Sequence, residues 1–229
     1  MRRWLGRAAL VLGIAAFGIT IAIRWSAVPR ALANSRVGAP IVRVLNDLRA
    51  RAYFAPDERC LQGLEANGVP FTFVAAPRHS DDCPFRNVVR MQPGGTLQRP
   101  LYMTCRLATA FVRFERDVLQ PAAERHLGQP VAKLVENGVR NCRPVAGYDT
   151  LLSEHAFANA IDVAGVVLRD GSVIRVADVE HADPTHAAFL RDVTTSACEV
   201  FRTVLGPGFD DRHRDHVHLD MGMLGGCRP

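Results

Sequence analysis

The chain contains no internal repeat, no low-complexity tract and no Cys-x-x-Cys pair. The first two absences exclude a stacked-repeat architecture. The third speaks against a thiolate zinc site or a redox dithiol. Carboxylates are missing from residues 1–30, where Arg2, Arg3, Arg7, Arg24 and Arg30 stand. The net charge of +5 belongs to that tail, because the 23 basic residues beyond it face 23 acidic ones. A near-neutral body has no Lys/Arg stripe interleaved with aromatics, which excludes nucleic acid as a partner. Gly94-Gly95 and Gly225-Gly226 are turn signals, and neither makes a phosphate loop.

At 229 residues the chain holds one domain of ordinary size plus an extra segment, residues 1–25. Met1–Arg7 is positively charged, Ala8–Ile23 is an apolar run, and Arg24-Trp25 closes it. The run is long for a secretory signal and slightly short of the roughly 20 residues of a spanning helix. Ala31-Leu32-Ala33 resembles a cleavage site, but Arg24 and Arg30 lie between it and the run. We therefore expect an uncleaved N-terminal hydrophobic helix, with residues 8–23 in the membrane. With or without cleavage the body is exported, since the positive end stays inside. The six cysteines of an exported chain suggest three disulfides. Of the many pairings open to them, we expect Cys60–Cys83, Cys105–Cys142 and Cys198–Cys227.

Residues 26–56, with Pro29, Pro40 and Pro56, read as a linker carrying one short helix near Ile41–Tyr53. The domain proper is expected over 57–229. Asp57–Ala66 reads as a helix stopped by Asn67-Gly68, and Val69–Ala75 as a strand. Thr104 caps a helix from Cys105 to Leu119, which Pro121 restarts or kinks. Asn137-Gly138 marks a turn. Val163–Leu168 and Ser172–Val176 flank Arg169-Asp170-Gly171 as a hairpin. Asp183-Pro184 opens a helix whose apolar positions recur from Ala187 to Val204 before Gly206-Pro207-Gly208. His216–Met221 alternates as a strand. These elements predict an α+β fold, compact, with a central antiparallel sheet flanked by helices.

Two segments carry the chemistry: Ser153-Glu-His155-Ala-Phe-Ala-Asn159-Ala-Ile-Asp162 and Asp215-His216-Val-His218. Residues two apart in a strand share a face, so His216 and His218 address one pocket, with Asp220 next in the row. The seven-residue gap from His155 to Asp162 is too long for one helical turn, so a loop must fold to bring both to one ion. Three protein ligands with a position left for water is the pattern of a catalytic zinc site. Ser153 has no triad around it and suits a supporting hydrogen bond. Asp220 reads either as a partner of a ligand or as a strand-end surface carboxylate. His79, His126, His181 and His186 read as lying outside the site.

Ser153-x-His155-x6-Asp162 followed by Asp215-His216-x-His218 resembles the zinc D-alanyl-D-alanine peptidases, whose metal site recurs in hedgehog signalling domains. With Asn141-Cys142-Arg143 and His213-Arg-Asp-His-Val-His-Leu-Asp220, the body from about Pro56 onward resembles the bacterial extensin-like C-terminal domain family. The resemblance implies that His155, Asp162 and His218 ligate Zn2+. It places His216 beside the metal-bound water or the substrate, and Asp215 where the peptidases carry their catalytic carboxylate. Many relatives have Glu at the position of Asp215 and Gly at Ala158 or Asn159. The shorter Asp215 leaves His216 and His213 open as alternative bases. Arg143 is the candidate for oxyanion or carboxylate binding.

The activity implied is hydrolysis of bonds next to D-amino acids in peptidoglycan peptides, as a carboxypeptidase or endopeptidase, on the periplasmic side of the inner membrane. The alternatives are a non-catalytic zinc-stabilised wall-binding or scaffolding module and a metal-free or calcium-binding interaction domain. The imidazole-rich donor set disfavours the last.

Overall fold

The computed structural model describes residues 29–78, 82–223 and 225–229. The hydrophobic helix expected within residues 1–25 and the loop histidine His79 lie outside them. Among the described residues, no helix is long and apolar enough to cross a membrane. Beyond the single turn Arg30–Ala33, the α-helices among the described residues are α1 (Gly38–Tyr53), α2 (Glu58–Ala66), α3 (Cys105–Phe114), α4 (Gln120–Leu127) and α5 (Pro184–Ser196). A first sheet, β1 (Phe71–Val74), β2 (Val88–Met91) and β3 (Leu101–Met103), is antiparallel throughout. A second, six-stranded sheet comprises β4 (Val131–Gly138), β5 (Ala160–Leu168), β6 (Val173–Arg175), β7 (Thr203–Leu205), β8 (Val217–Asp220) and β9 (Gly226–Arg228). Its order is β4-β5-β8-β7-β9, with β6 also on β5, and only the β7–β9 pair is parallel. The expected α+β architecture around an antiparallel sheet is what the chain adopts.

Period-two alternation on the central strands decides where the core sits and where the chemistry goes. Ile161 and Val163 on β5 and Val217 and Leu219 on β8 are buried. Val163, Val217 and Leu219 line one apolar pocket with Phe114, Phe189 and Leu190 of the helical layer. Asp162 and His218 fall between them in sequence and are partners in the β5–β8 register, so both project from the opposite face. Helix α3 starts at its expected cap, where Leu107 N donates to Thr104 Oγ1 at 3.3 Å. The helix then passes through a π turn, Glu115–Leu119, before α4 resumes with Pro121 in its first turn. Proline needs no hydrogen-bond acceptor there.

Three expectations are corrected. Helix α5 ends at Ser196, not near Val204. Val204 is buried in β7, so its agreement with the helical period came from a strand residue facing the same core. Asn137-Gly138 is not a link between elements but the end of β4, a strand whose register shifts obscure its alternation. The disulfides are Cys60–Cys105, Cys83–Cys142 and Cys198–Cys227, so only the last pairing matches expectation. Tertiary packing overrides proximity in sequence: α2 lies on α3, bringing their cysteine Cα atoms to 6.2 Å, and the loop before β2 lies on the segment after β4.

The helix expected near Ile41–Tyr53 forms as α1 and packs on the body, with Val42, Asn46, Arg49, Ala50 and Tyr53 buried. Pro40 is accommodated because it sits in the first turn, where no amide needs an intrahelical acceptor. Arg49 reaches Glu154 at 2.7 Å, with side chains only 7% and 13% exposed. Asn46 Nδ2 donates to Thr150 O and Leu152 N donates to Asn46 Oδ1. Replacing Arg49 with Met leaves Glu154 buried without its cation and should cost about 3–5 kcal/mol. Urea unfolding measures this, and Arg49→Met with Glu154→Gln should recover much of the loss.

Candidate metal centre

The 3-10 turn Glu154–Phe157 leads through Ala158 into β5 and carries His155. The turn opens on Ser153, whose Oγ accepts from His155 N at 3.3 Å. Ser153 is thus a backbone cap rather than a support for the imidazole. Ala158 closes the turn at φ +53, a left-handed conformation that favours glycine.

His155 Nε2, Asp162 Oδ1 and His218 Nδ1 converge on one point. The distances are 3.1 Å from His155 to Asp162, 3.1 Å from His155 to His218 and 3.0 Å from His218 to Asp162. These three residues form a group that could hold a metal ion. The other nitrogen of each ring fixes its tautomer. His155 Nδ1–H donates to Val139 O at 2.9 Å, and a carbonyl can only accept. His218 Nε2–H donates to Asp220 Oδ2 at 2.9 Å. When neutral, each imidazole therefore turns its remaining lone pair to the centre, the arrangement by which histidine ligands are oriented toward metals. Asp220 is 5% exposed and accepts from Gly222 N as well, so it supports a ligand and is not a surface carboxylate.

Burial would raise the Asp162 carboxyl, but its contacts with the His155 and His218 rings outweigh it and hold it well below the usual carboxylate range. Burial likewise opposes charge on His218, yet its bonds to Asp162 and Asp220 push it up to about 9. A raised histidine stabilises the fold fully below its ordinary value near 6.5, and that contribution is lost as pH rises through about 9. An arriving cation must displace this proton, so occupancy is favoured as pH rises.

The remaining candidates divide. His216 stands beside the cluster, with Nε2 3.7 Å from Asp162 Oδ1. Its Nδ1–H donates to Asp215 Oδ1 at 2.8 Å. Asp215 points at His216 and is 68% exposed, and the bond from His216 lowers its pKa. His213 lies with its ring 5.3 Å from His216, and its Nδ1–H donates to Asp210 Oδ1 at 2.6 Å. Burial lowers the His213 pKa despite that carboxylate. Arg143 is exposed; its backbone carbonyl accepts from Ser153 N, and among the described residues no hydrogen bond joins its side chain to the cluster. His126 pairs with Asp192 instead, outside the site as expected.

Sequence reasoning missed the scaffold behind His155. Glu154 Oε1 accepts from Arg49 at 2.7 Å and Tyr53 at 3.0 Å, while Oε2 accepts from Asn159 Nδ2 at 2.7 Å. Thr104 Oγ1 then donates to Asn159 Oδ1 at 2.7 Å. A side chain at Gly222 would meet Glu154 Oε1 at 2.5 Å, so the chain passes there only as glycine. The Asp210–His213 pair was also missed, although Asp210-x-x-His213 repeats the acid–imidazole theme of Asp215-His216. Asp220→Asn removes the charge behind His218 and should weaken metal binding 10–100-fold without unfolding the protein. Titration with Zn2+ against a competing chelator checks this.

The profile of the family described as extensin-like protein C-terminus matches residues 58–228. No curated protein and no solved structure matches the chain significantly. The match runs through every disulfide and every residue of the cluster, and the chain belongs to the extensin-like protein C-terminal family.

Proposed function

We propose that this protein is a zinc-dependent hydrolase that cleaves peptide bonds next to D-amino acids in peptidoglycan peptides, on the periplasmic side of the inner membrane. The observation that carries the proposal is the convergence of two imidazole lone pairs and a carboxylate within 3.0–3.1 Å, each ring anchored from behind. Nitrogen-rich donors of this kind suit zinc rather than calcium or magnesium. The substrate class rests on the resemblance of the two motifs to D-alanyl-D-alanine peptidases, and the compartment on the apolar N-terminal run with three disulfides behind it.

His155, Asp162 and His218 would hold the ion. When bound, zinc supplies Lewis acidity that polarises the scissile carbonyl and brings the pKa of a water toward about 7. The chain's own residues handle the proton. Asp215 holds His216 with Nδ1–H directed away from the cluster, so the lone pair of Nε2 faces the reacting centre. His216 is thus the proton acceptor and Asp215 its positioning residue, as the exposed carboxylate is turned toward the ring. His213 and Asp210 form a second dyad one ring away, placed to receive or return a proton at the leaving amine. Arg143 would meet a substrate carboxylate by moving from solvent.

A second reading has one observation in its favour. Asp215 is 68% exposed and the Arg143 side chain also faces solvent, so neither stands against the cluster as a peptidase would require. On that reading the protein is a zinc-stabilised wall-binding module. Digestion of purified muropeptides followed by mass spectrometry separates the two. The enzyme releases D-alanine or shortened peptides, and His216→Ala lowers that rate 10²–10⁴-fold while zinc stays bound. Asp215→Asn should lower it less and shift its pH profile, since it acts through His216. Retained binding to cell-wall sacculi with no product from the zinc-loaded protein would establish the module instead.

A further inference from the structure

Helix α1 turns its inner face to the body, and its outer face carries an apolar stripe that nothing among the described residues covers. At 3.6 residues per turn, Val37, Ile41, Val44 and Leu48 fall on one side. They are 73%, 54%, 58% and 53% exposed, opposite the buried Val42, Asn46, Arg49, Ala50 and Tyr53. Four large aliphatics aligned on the water-facing side of a helix are unexpected unless something apolar meets them. Arg36, Arg43 and Arg51 lie exposed along one flank of the helix, with Arg51 next to the stripe and Asp47, the one carboxylate on the helix, among them.

The sequence upstream points to what meets them. Ala8–Ile23 is apolar, and Val37 follows Ile23 by 14 residues. Even fully extended, that length spans at most about 50 Å. The stripe therefore stays close to whatever surface receives the apolar run. An amphipathic helix with an aliphatic face and flanking arginines, joined to such a run, has the chemistry of an interfacial helix on anionic lipid. Arginine stems extend along the apolar boundary while their guanidinium groups reach phosphate.

We propose that the face formed by Ile41, Val44 and Leu48 of α1, with Val37 at its N-cap, lies in the interface of an anionic bilayer. The proposal rests on reading residues 8–23 as a membrane segment. The inner side of the same helix holds Glu154 through Arg49 and Tyr53, next to His155. A helix is about 10 Å across, so the docked face keeps the candidate metal centre near the leaflet. Its substrates would be peptides that lie close to the membrane surface.

Full-length protein reconstituted in phosphatidylcholine–phosphatidylglycerol vesicles tests this. The described cysteines are all disulfide-bonded, which makes a nitroxide at Ile41→Cys, Val44→Cys, Leu48→Cys or Arg43→Cys specific. In the docked helix, labels at 41, 44 and 48 collide several-fold less with a water-soluble nickel relaxant and more with oxygen than the label at 43. That contrast should not change with the protein-to-lipid ratio. Equal accessibility at all four positions would overturn the proposal. So would protection from nickel without a gain in oxygen collisions, since the cover would then be protein: a second copy if labels broaden one another, residues 8–23 if they do not. Failure of the full chain to float with vesicles would overturn the membrane reading of residues 8–23 and this proposal together, whereas flotation with equal accessibility overturns this proposal alone.

Discussion

Two imidazole lone pairs and a carboxylate oxygen at mutual distances near 3 Å repel one another unless positive charge sits among them. That requirement organises this end of the molecule. It explains why each ring is tied from behind, His155 by the Val139 carbonyl and His218 by Asp220. It also explains the raised pKa of His218, which, against the pull of burial, its bonds to Asp162 and Asp220 produce. The sheet makes the arrangement possible because Asp162 and His218 are cross-strand partners whose neighbours Ile161, Val163, Val217 and Leu219 are committed to the opposite, core face. A one-residue slip of β8 on β5 would turn His218 into the core and away from Asp162.

The third ligand is held by different means. His155 sits on a short turn, which by itself would be a poor platform for an ion. Rigidity comes from Glu154, one residue away, which ties Arg49 and Tyr53 of α1 to Asn159, and through Asn159 to Thr104 at the start of α3. The disulfide Cys83–Cys142 restrains the other flank, where Val139 O and Asn141 N both contact His155. A buried ion pair of this kind specifies a geometry rather than adding much net stability. Here the geometry it specifies is the position of a ligand.

Much of this was legible in the sequence, for identifiable reasons. His-x-His on an alternating strand announces a shared face, and the hairpin after Asp162 announces β5 through its Arg-Asp-Gly turn. The caps Asp57, Thr104 and Asp183 signalled their helices because capping is chemistry local to a few residues. Other features depended on contacts remote in sequence. Arg49 and Glu154 are 105 positions apart, and nothing local distinguishes that arginine from the exposed Arg43 or Arg51. The cysteine pairing followed helix packing rather than proximity. Val139 enters the site through its carbonyl, which every residue possesses and no motif reveals. The hydrogen bond from His216 to Asp215 was hidden for a related reason: no motif reveals which way a carboxylate side chain points.

Anomalous diffraction at the zinc absorption edge, from crystals of the full body grown with stoichiometric zinc, tests the central claim most directly. The account predicts one strong peak per chain, about 2.0–2.2 Å from His155 Nε2, Asp162 Oδ1 and His218 Nδ1 together. A peak bound elsewhere, or zinc-loaded crystals in which those three atoms keep their mutual hydrogen bonds with no density among them, would contradict it.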